Sequence, residues 1–213
     1  IRDSVASRGL GDVYKRQVRQ RLIDDMFLPA LERLHEISKL VPLALASYIS
    51  LPRSKEVTNA LRLDKHNCPY QNANCSIHCG SLTSGERPCD GFTEIMDRNL
   101  FDELLEVGER SESFMSTSSI VDRYYDYHKI HFYYLNVGNE ISRVEIPEWV
   151  HSNKYLLDLT HSAIVNQCEK GRGYPVALME AHEQAVVTNH DSCLLYTSDA
   201  ADERSSVDLG GRR

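Results

Sequence analysis

Four cysteines, Cys68, Cys75, Cys79 and Cys89, fall within 22 residues, with His66 and His78 beside them. Four thiolates can close a tetrahedral zinc (Zn2+) site or hold a four-iron iron–sulfur cluster, and either would order a loop with little core of its own. The Cys-x6-Cys-x3-Cys-x9-Cys spacing lacks the paired CxxC knuckles of common zinc ribbons. The same residues also read as free thiols, or as disulfides in an oxidising compartment. A metal held here is expected to be structural rather than catalytic, and the spacing does not separate zinc from iron–sulfur.

A second constellation lies in GYPVALMEAHEQAVV, where Tyr174 ends a loop, Pro175 starts a helix and His182 lies two turns along it. Imidazole beside a phenol suits proton handling or the gripping of a phosphate. By periodicity alone the string is a buried helix, with Ala177, Leu178, Ala181, Ala185 and Val186 on its apolar side and an incidental histidine. Arg53 and Lys55 follow an apolar strand, where positive charge can meet a DNA backbone or simply sit on the surface. Arg143 and Glu145 share a strand face and are expected to pair with each other. Tyr124, Tyr125, Tyr127, Tyr133 and Tyr134 offer stacking surfaces for single-stranded DNA, although packing in and around a sheet is the favoured expectation.

The elements that must position these residues are readable from pattern. Leu28–Leu40 has helical spacing with Pro29 in its first turn, after an extended or irregular lead. Leu43–Ser50, bounded by Pro42 and Pro52, suits a buried strand. Ser54–Leu63 reads as a helix with Ser54 as N-cap. Residues 64–91 form a Cys-rich loop or insert, and Asp97–Leu105 is again helical. Ile130–Val137 and Glu140–Ile146 form a hairpin about Gly138-Asn139. Tyr155–Glu169 is an amphipathic helix with Leu156, Leu159, Ala163 and Ile164 as its stripe, stopped by Gly171 and Gly173. The mixture makes an α/β or α+β domain.

Both ends read as translated sequencing-adapter DNA. DVYKRQ at Asp12–Gln17 and CLLYTS at Cys193–Ser198 are encoded by opposite strands of one element similar to the mosaic end of transposase-based library adapters. Residues 1–17 and 193–213 are therefore set aside, leaving 18–192 as one domain cut at both ends. The flanks contribute +2 and −1, so the formal charge of −7 becomes −8 without them. An acidic net field does not steer a protein to nucleic acid, though a local basic groove can still bind it. No apolar run approaches a membrane span, and the expected setting is soluble and cytoplasmic.

Three segments together resemble the C-terminal half of NurA-type nucleases: SYISLPRSKEVTNALR at Ser47–Arg62, SRVEIPEW at Ser142–Trp149 and GYPVALMEAHEQAVV at Gly173–Val187. The resemblance covers nearly all of Val18–Asp191 and is nearest to a cyanobacterial form with a cysteine-containing insert after SLPRS. It implies an incomplete RNase H-like α/β core with a Cys-rich insert. It also implies 5′ to 3′ exonuclease and single-strand endonuclease activity with manganese (Mn2+), a HerA-type hexameric ATPase as partner in break processing, and a homodimer. Tyr174 and His182 match the family's C-terminal active-site pair. His182 would be a metal ligand or proton donor near the scissile phosphate, and Tyr174 would position the phosphate or a metal-bound water.

The family's acidic ligands lie on strands upstream of the helix that here begins near Leu28. Asp24 and Asp25 are the carboxylates of the lead, and they read as solvated residues before a helix. The expectation is a parent nuclease whose metal site is mostly missing from this chain, with Tyr174 and His182 converging at one mouth of the sheet. The alternative is a non-catalytic zinc or iron–sulfur module that binds DNA or a partner.

Overall fold

Antiparallel pairing is organised by the turn at Gly138–Asn139, where Gly138 adopts φ +98°, a conformation that side chains resist. The computed structural model describes residues 17–64, 68–70, 74–83, 85–92, 94–125 and 128–185, except the side chains of Phe92, Arg123 and Tyr124. His66, Tyr127 and Val186 lie outside them. The helices are α1 (Leu28–Ser38), α2 (Glu56–Arg62), α3 (Cys75–His78), α4 (Asp97–Leu104), α5 (Ser119–Tyr124), α6 (Glu148–His151), α7 (Lys154–Lys170) and α8 (Val176–Ala185). The strands are β1 (Ser47–Ile49), β2 (Phe114–Met115), β3 (Ile130–Asn136) and β4 (Ile141–Pro147), paired antiparallel in the order β1-β4-β3-β2.

The period of two along β3 and β4 divides the core between two faces. Tyr133, Leu135, Val144 and Ile146 pack on one face with Val150 of α6 and Leu156 of α7. Phe132, Tyr134 and Ile141 pack on the other with Phe101 of α4. Helices therefore cover both sides of an antiparallel sheet, an α/β architecture. The central strands are buried almost end to end, as their aromatic and β-branched run requires. Tyr133 and Tyr134 are fully buried, so their rings serve the core rather than DNA stacking. Tyr125 packs its ring against Phe27 at 5.2 Å.

Arg143 and Glu145 do pair, Nε to Oε1 at 3.0 Å. Arg143 also donates from Nη1 to Ser54 Oγ at 3.1 Å and lies 3.6 Å over the Phe132 ring, which fastens the start of α2 to the sheet. Asp97, wholly buried, accepts from Thr58 N at 2.8 Å, Val57 N at 3.2 Å and Tyr134 Oη at 2.7 Å. It supplies the helix cap expected of Ser54, whose Oγ accepts from Glu56 N at 3.2 Å and from Arg143. Ser54 is not the N-cap because α2 begins at Glu56 with Lys55 in that position, one residue past Ser54.

Three other expectations are corrected. The lead into α1 is helical from residue 17 and passes through a π turn, Ile23–Phe27. Pro29 brings no N–H to the ladder, and Leu28 N reaches back to Ile23 O across a wider turn. Leu43–Ser50 is not a buried strand: only Ser47–Ile49 is extended, and Ser47 and Ile49 are exposed. Among the described residues β1 is the sheet's edge, with β4 on one side alone. On α7, Ala163 faces outward while Thr160 and Cys168 are buried in the stripe.

A pair of imidazoles links the sheet to α6. His131 and His151 stack at 3.9 Å between centroids, His131 Nε2 donates to Glu148 Oε2 at 2.6 Å, and Ser113 Oγ lies 2.8 Å from His151 Nδ1. Burial, then the neighbouring His131, lowers the pKa of His151 against the pull of Glu148. Burial opposes the charge of Glu148, but its hydrogen bond to His131 and the nearby cations outweigh this and lower its pKa too. Both groups bind protons more readily when unfolded, so stability is lost as pH falls. The His151 share of the loss begins near the ordinary value of 6.5, and the Glu148 share follows below 4.5. Melting temperature should decline from pH 7 to 4 in thermal scans, and His151→Gln should shrink the part of the decline nearest neutrality, leaving the share of His161, whose pKa burial also lowers. An unchanged profile in that variant would exclude the stacked pair as its source.

Candidate functional site

Tyr174 is set by the chain that leaves α7. Gly173 N donates to Cys168 O at 2.7 Å, and Asn139 Nδ2 of the hairpin turn donates to Arg172 O at 2.9 Å. Gly173 has φ +103°, and a Cβ there would overlap the Asn139 side chain. The loop is thus clipped to the turn end of the sheet. There the Tyr174 ring meets Tyr48 of β1 edge-on at 5.5 Å. Tyr48 donates to Glu140 Oε1 at 2.9 Å, and Ser50 donates to Glu140 Oε2 at 2.7 Å. Burial foremost, with Glu140 beside it, pushes the Tyr48 hydroxyl far above the ordinary tyrosine value, so it stays a donor.

Backbone strain gathers at the same two segments. Among the described residues, the non-glycine positions with positive φ are Leu51 (45°) and Arg172 (56°). One lies between β1 and Arg53, the other two residues before Tyr174. Such conformations cost on the order of 1–3 kcal/mol each and cluster where function fixes the backbone. Arg53 is exposed beyond this bend, and Lys55 is half-buried at the N-cap of α2.

His182 lies on α8, which buries none of its residues. Its apolar side was expected to be covered. Instead Ala177, Ala181 and Ala185 are exposed, as are Leu178 (41 %) and Met179 (36 %), because no described element packs over them. His182 is exposed and stands roughly 12 Å beyond Tyr174 at the helical rise. Among the described residues, no ring contact or hydrogen bond joins the two side chains.

The manganese that the resemblance implies needs converging carboxylates. Asp24 and Asp25 are exposed in the π turn, and Asp24 accepts from Gln20 Nε2 at 2.6 Å. Among the described residues, no three His, Cys, Asp or Glu side chains are arranged to hold a metal ion, so these residues do not fit a two-metal nuclease centre.

The cysteines are brought into one neighbourhood. Burial first, then Cys75, Cys89 and Cys68, pushes the Cys79 thiol above its ordinary value, and Arg87 opposes them. Arg62 Nη2 approaches Cys89 Sγ at 3.6 Å. His78 stacks on Tyr70 at 4.3 Å. Sequence reasoning missed Asp97, Tyr48 and Glu140. Tyr48 lies within the SYISLPRS segment, and Glu140 directly follows the hairpin turn, so position gave a signal for these two; nothing local marked Asp97.

No curated protein and no solved structure matches the chain. The family model of the NurA domain matches residues 24–187, a segment that runs from the π turn through α8 and includes Tyr174 and His182. The chain therefore belongs to the NurA domain family, a nuclease family of DNA end processing.

Proposed function

We propose that this chain carries the C-terminal part of the active site of a metal-dependent DNA nuclease, acting as a 5′ to 3′ exonuclease and single-strand endonuclease in double-strand break repair. The observation that carries the reading is the placement of Tyr174. A glycine loop clipped to the hairpin turn holds its ring against Tyr48, between strained segments, at the foot of the exposed helix that bears His182. In this reading Tyr174 orients the phosphate and His182 acts at the scissile phosphodiester. Arg53 and Lys55 meet the DNA backbone. Manganese is held by carboxylates outside the described residues, on an RNase H-like core whose strands cover the open side of α8. The described residues alone are then inactive. A HerA-type hexameric ATPase and a second copy of the chain are the proposed partners, the cytoplasm the proposed setting, and the strings at 1–17 and 193–213 the proposed adapter remnants.

The test is cleavage of end-labelled duplex and single-stranded DNA by the complete protein, recovered by extending the reading frame upstream of Val18. Manganese should support degradation from 5′ ends and nicking of single strands, and a chelator should stop both. A complete protein that binds DNA but never cuts it in manganese would replace this reading with the non-catalytic metal-bearing module.

A further inference from the structure

We propose that Cys68, Cys75, Cys79 and Cys89 form a tetrathiolate metal centre that ties residues 68–91 to the C-terminal end of α2. The need for one is visible in burial. Among the described residues of this segment only Cys79 is buried, and Ile77 is 74 % exposed. A long irregular stretch without apolar cover has nothing to offset the entropy of its own ordering.

The backbone brings the four residues to one place. Cys75 opens α3 and Cys79 is its C-cap, one turn on, with Cys79 N donating to Cys75 O at 2.9 Å. Asn74 caps that turn, and Gly80 lets the chain leave it, since a Cβ there would overlap Ser76 O. Cys68 N donates to Asp64 O at 2.8 Å, just past α2, and Cys89 lies beside Arg62 in the last turn of α2. Cys68, Cys75 and Cys89 all lie within electrostatic reach of Cys79.

The surrounding charge suits anionic sulfur. Four thiolates around a divalent ion make a dianionic centre, and Arg62 and Arg87 both face the cluster. Arg62 Nε is buried and has no hydrogen-bond partner among the described residues, a donor that a thiolate would satisfy far better than a thiol. Among the described residues no three of these side chains are already arranged to hold a metal ion, so binding must draw the sulfurs together. Exposed Cys75 has the freedom to swing. As four metal–sulfur bonds form, four thiol protons leave to solvent. The shared chemistry is a thiophilic metal with four sulfur ligands, supplied as zinc or as a four-iron cluster.

The complete protein, purified without chelator, should be assayed for zinc, iron and acid-labile sulfide. One zinc per chain, or four iron with matching sulfide, supports the centre and names it. Cys75→Ser and Cys89→Ser should lower that content at least tenfold, whereas Cys168→Ala, on α7, should keep it. A wild-type protein with less than about a tenth of an equivalent of either metal, or a Cys75→Ser variant that keeps full content, overturns the proposal. Should the variants fail to fold, thiol labelling of the wild-type protein decides. Four thiols reacting only after a chelator is added support the centre, and four reacting at once overturn it. Neither readout depends on DNA cleavage, so failure here is separate from failure of the nuclease reading.

Discussion

His182→Ala in the complete protein should slow single-turnover DNA cleavage by about 100- to 10,000-fold, the usual range for a lost proton-transfer group. The variant should melt within about a degree of the wild type. α8 buries none of its residues among the described part of the protein, and alanine is the best helix former, so removal of the imidazole weakens no turn. A large loss at an unchanged melting point must therefore come from chemistry at the phosphodiester. Tyr174→Phe separates orientation from packing: the ring keeps its edge contact with Tyr48, and only the hydroxyl is lost. Cleavage should fall while DNA affinity, read by fluorescence anisotropy, stays constant. Wild-type cleavage rates in His182→Ala would remove that residue from the active site.

The second large effect is on stability. Asp97→Ala should cost about 3–5 kcal/mol, because three buried donors would each lose their acceptor at about 1–3 kcal/mol apiece, partly offset by relaxation. The carboxylate is fully buried and accepts from two backbone N–H groups and the Tyr134 hydroxyl, and all three donors would be stranded. Burial opposes the Asp97 charge, but the donors outweigh it and lower the pKa below 3.8. The stability it contributes is thus present above that ordinary value and is lost as pH falls through the lower, folded one. At about 2–4 °C per kcal/mol for a chain of this size, the melting point should drop by roughly 10 °C. Asp97→Asn should fall in between, because an amide oxygen accepts but its NH2 group faces other donors. Urea denaturation with a change under about 1 kcal/mol for the alanine variant would contradict the network. The same loss would loosen the start of α2, where Lys55 sits.

The sequence announces what depends on neighbours in the chain and hides what depends on distant partners. Gly138-Asn139 between aromatic and β-branched runs defines the hairpin, and the spacing of Leu156 and Leu159 defines α7. LALASYIS is as apolar as a central strand, yet being an edge depends on which strands flank it, and that is decided by β4 about a hundred residues later. Pro29 is legible as a helix-starting residue, but the helix already running into it was not, because a π turn absorbs the missing donor. Asp97 caps a helix about forty residues before it, beyond the reach of any local pattern. The roles proposed for Tyr174 and His182 rest on likeness to a family, since a tyrosine and a histidine eight residues apart have no distinctive period of their own.

The edge position of β1 also bears on the order of folding. The β3–β4 hairpin closes across a two-residue turn, a microsecond event, whereas β1 meets β4 only after the chain from Ser47 to Glu145 has closed on itself. β1 should therefore dock late, and Tyr48 arrives with it. Until then Tyr174 lacks the ring it rests on, and Glu140 lacks its two hydroxyl donors. A chain still maturing on the ribosome, or one nicked in the long connection, would hold its sheet core but not this corner. If Tyr174 serves the proposed nuclease site, late docking of a single three-residue strand would keep that site silent until the whole domain is in place.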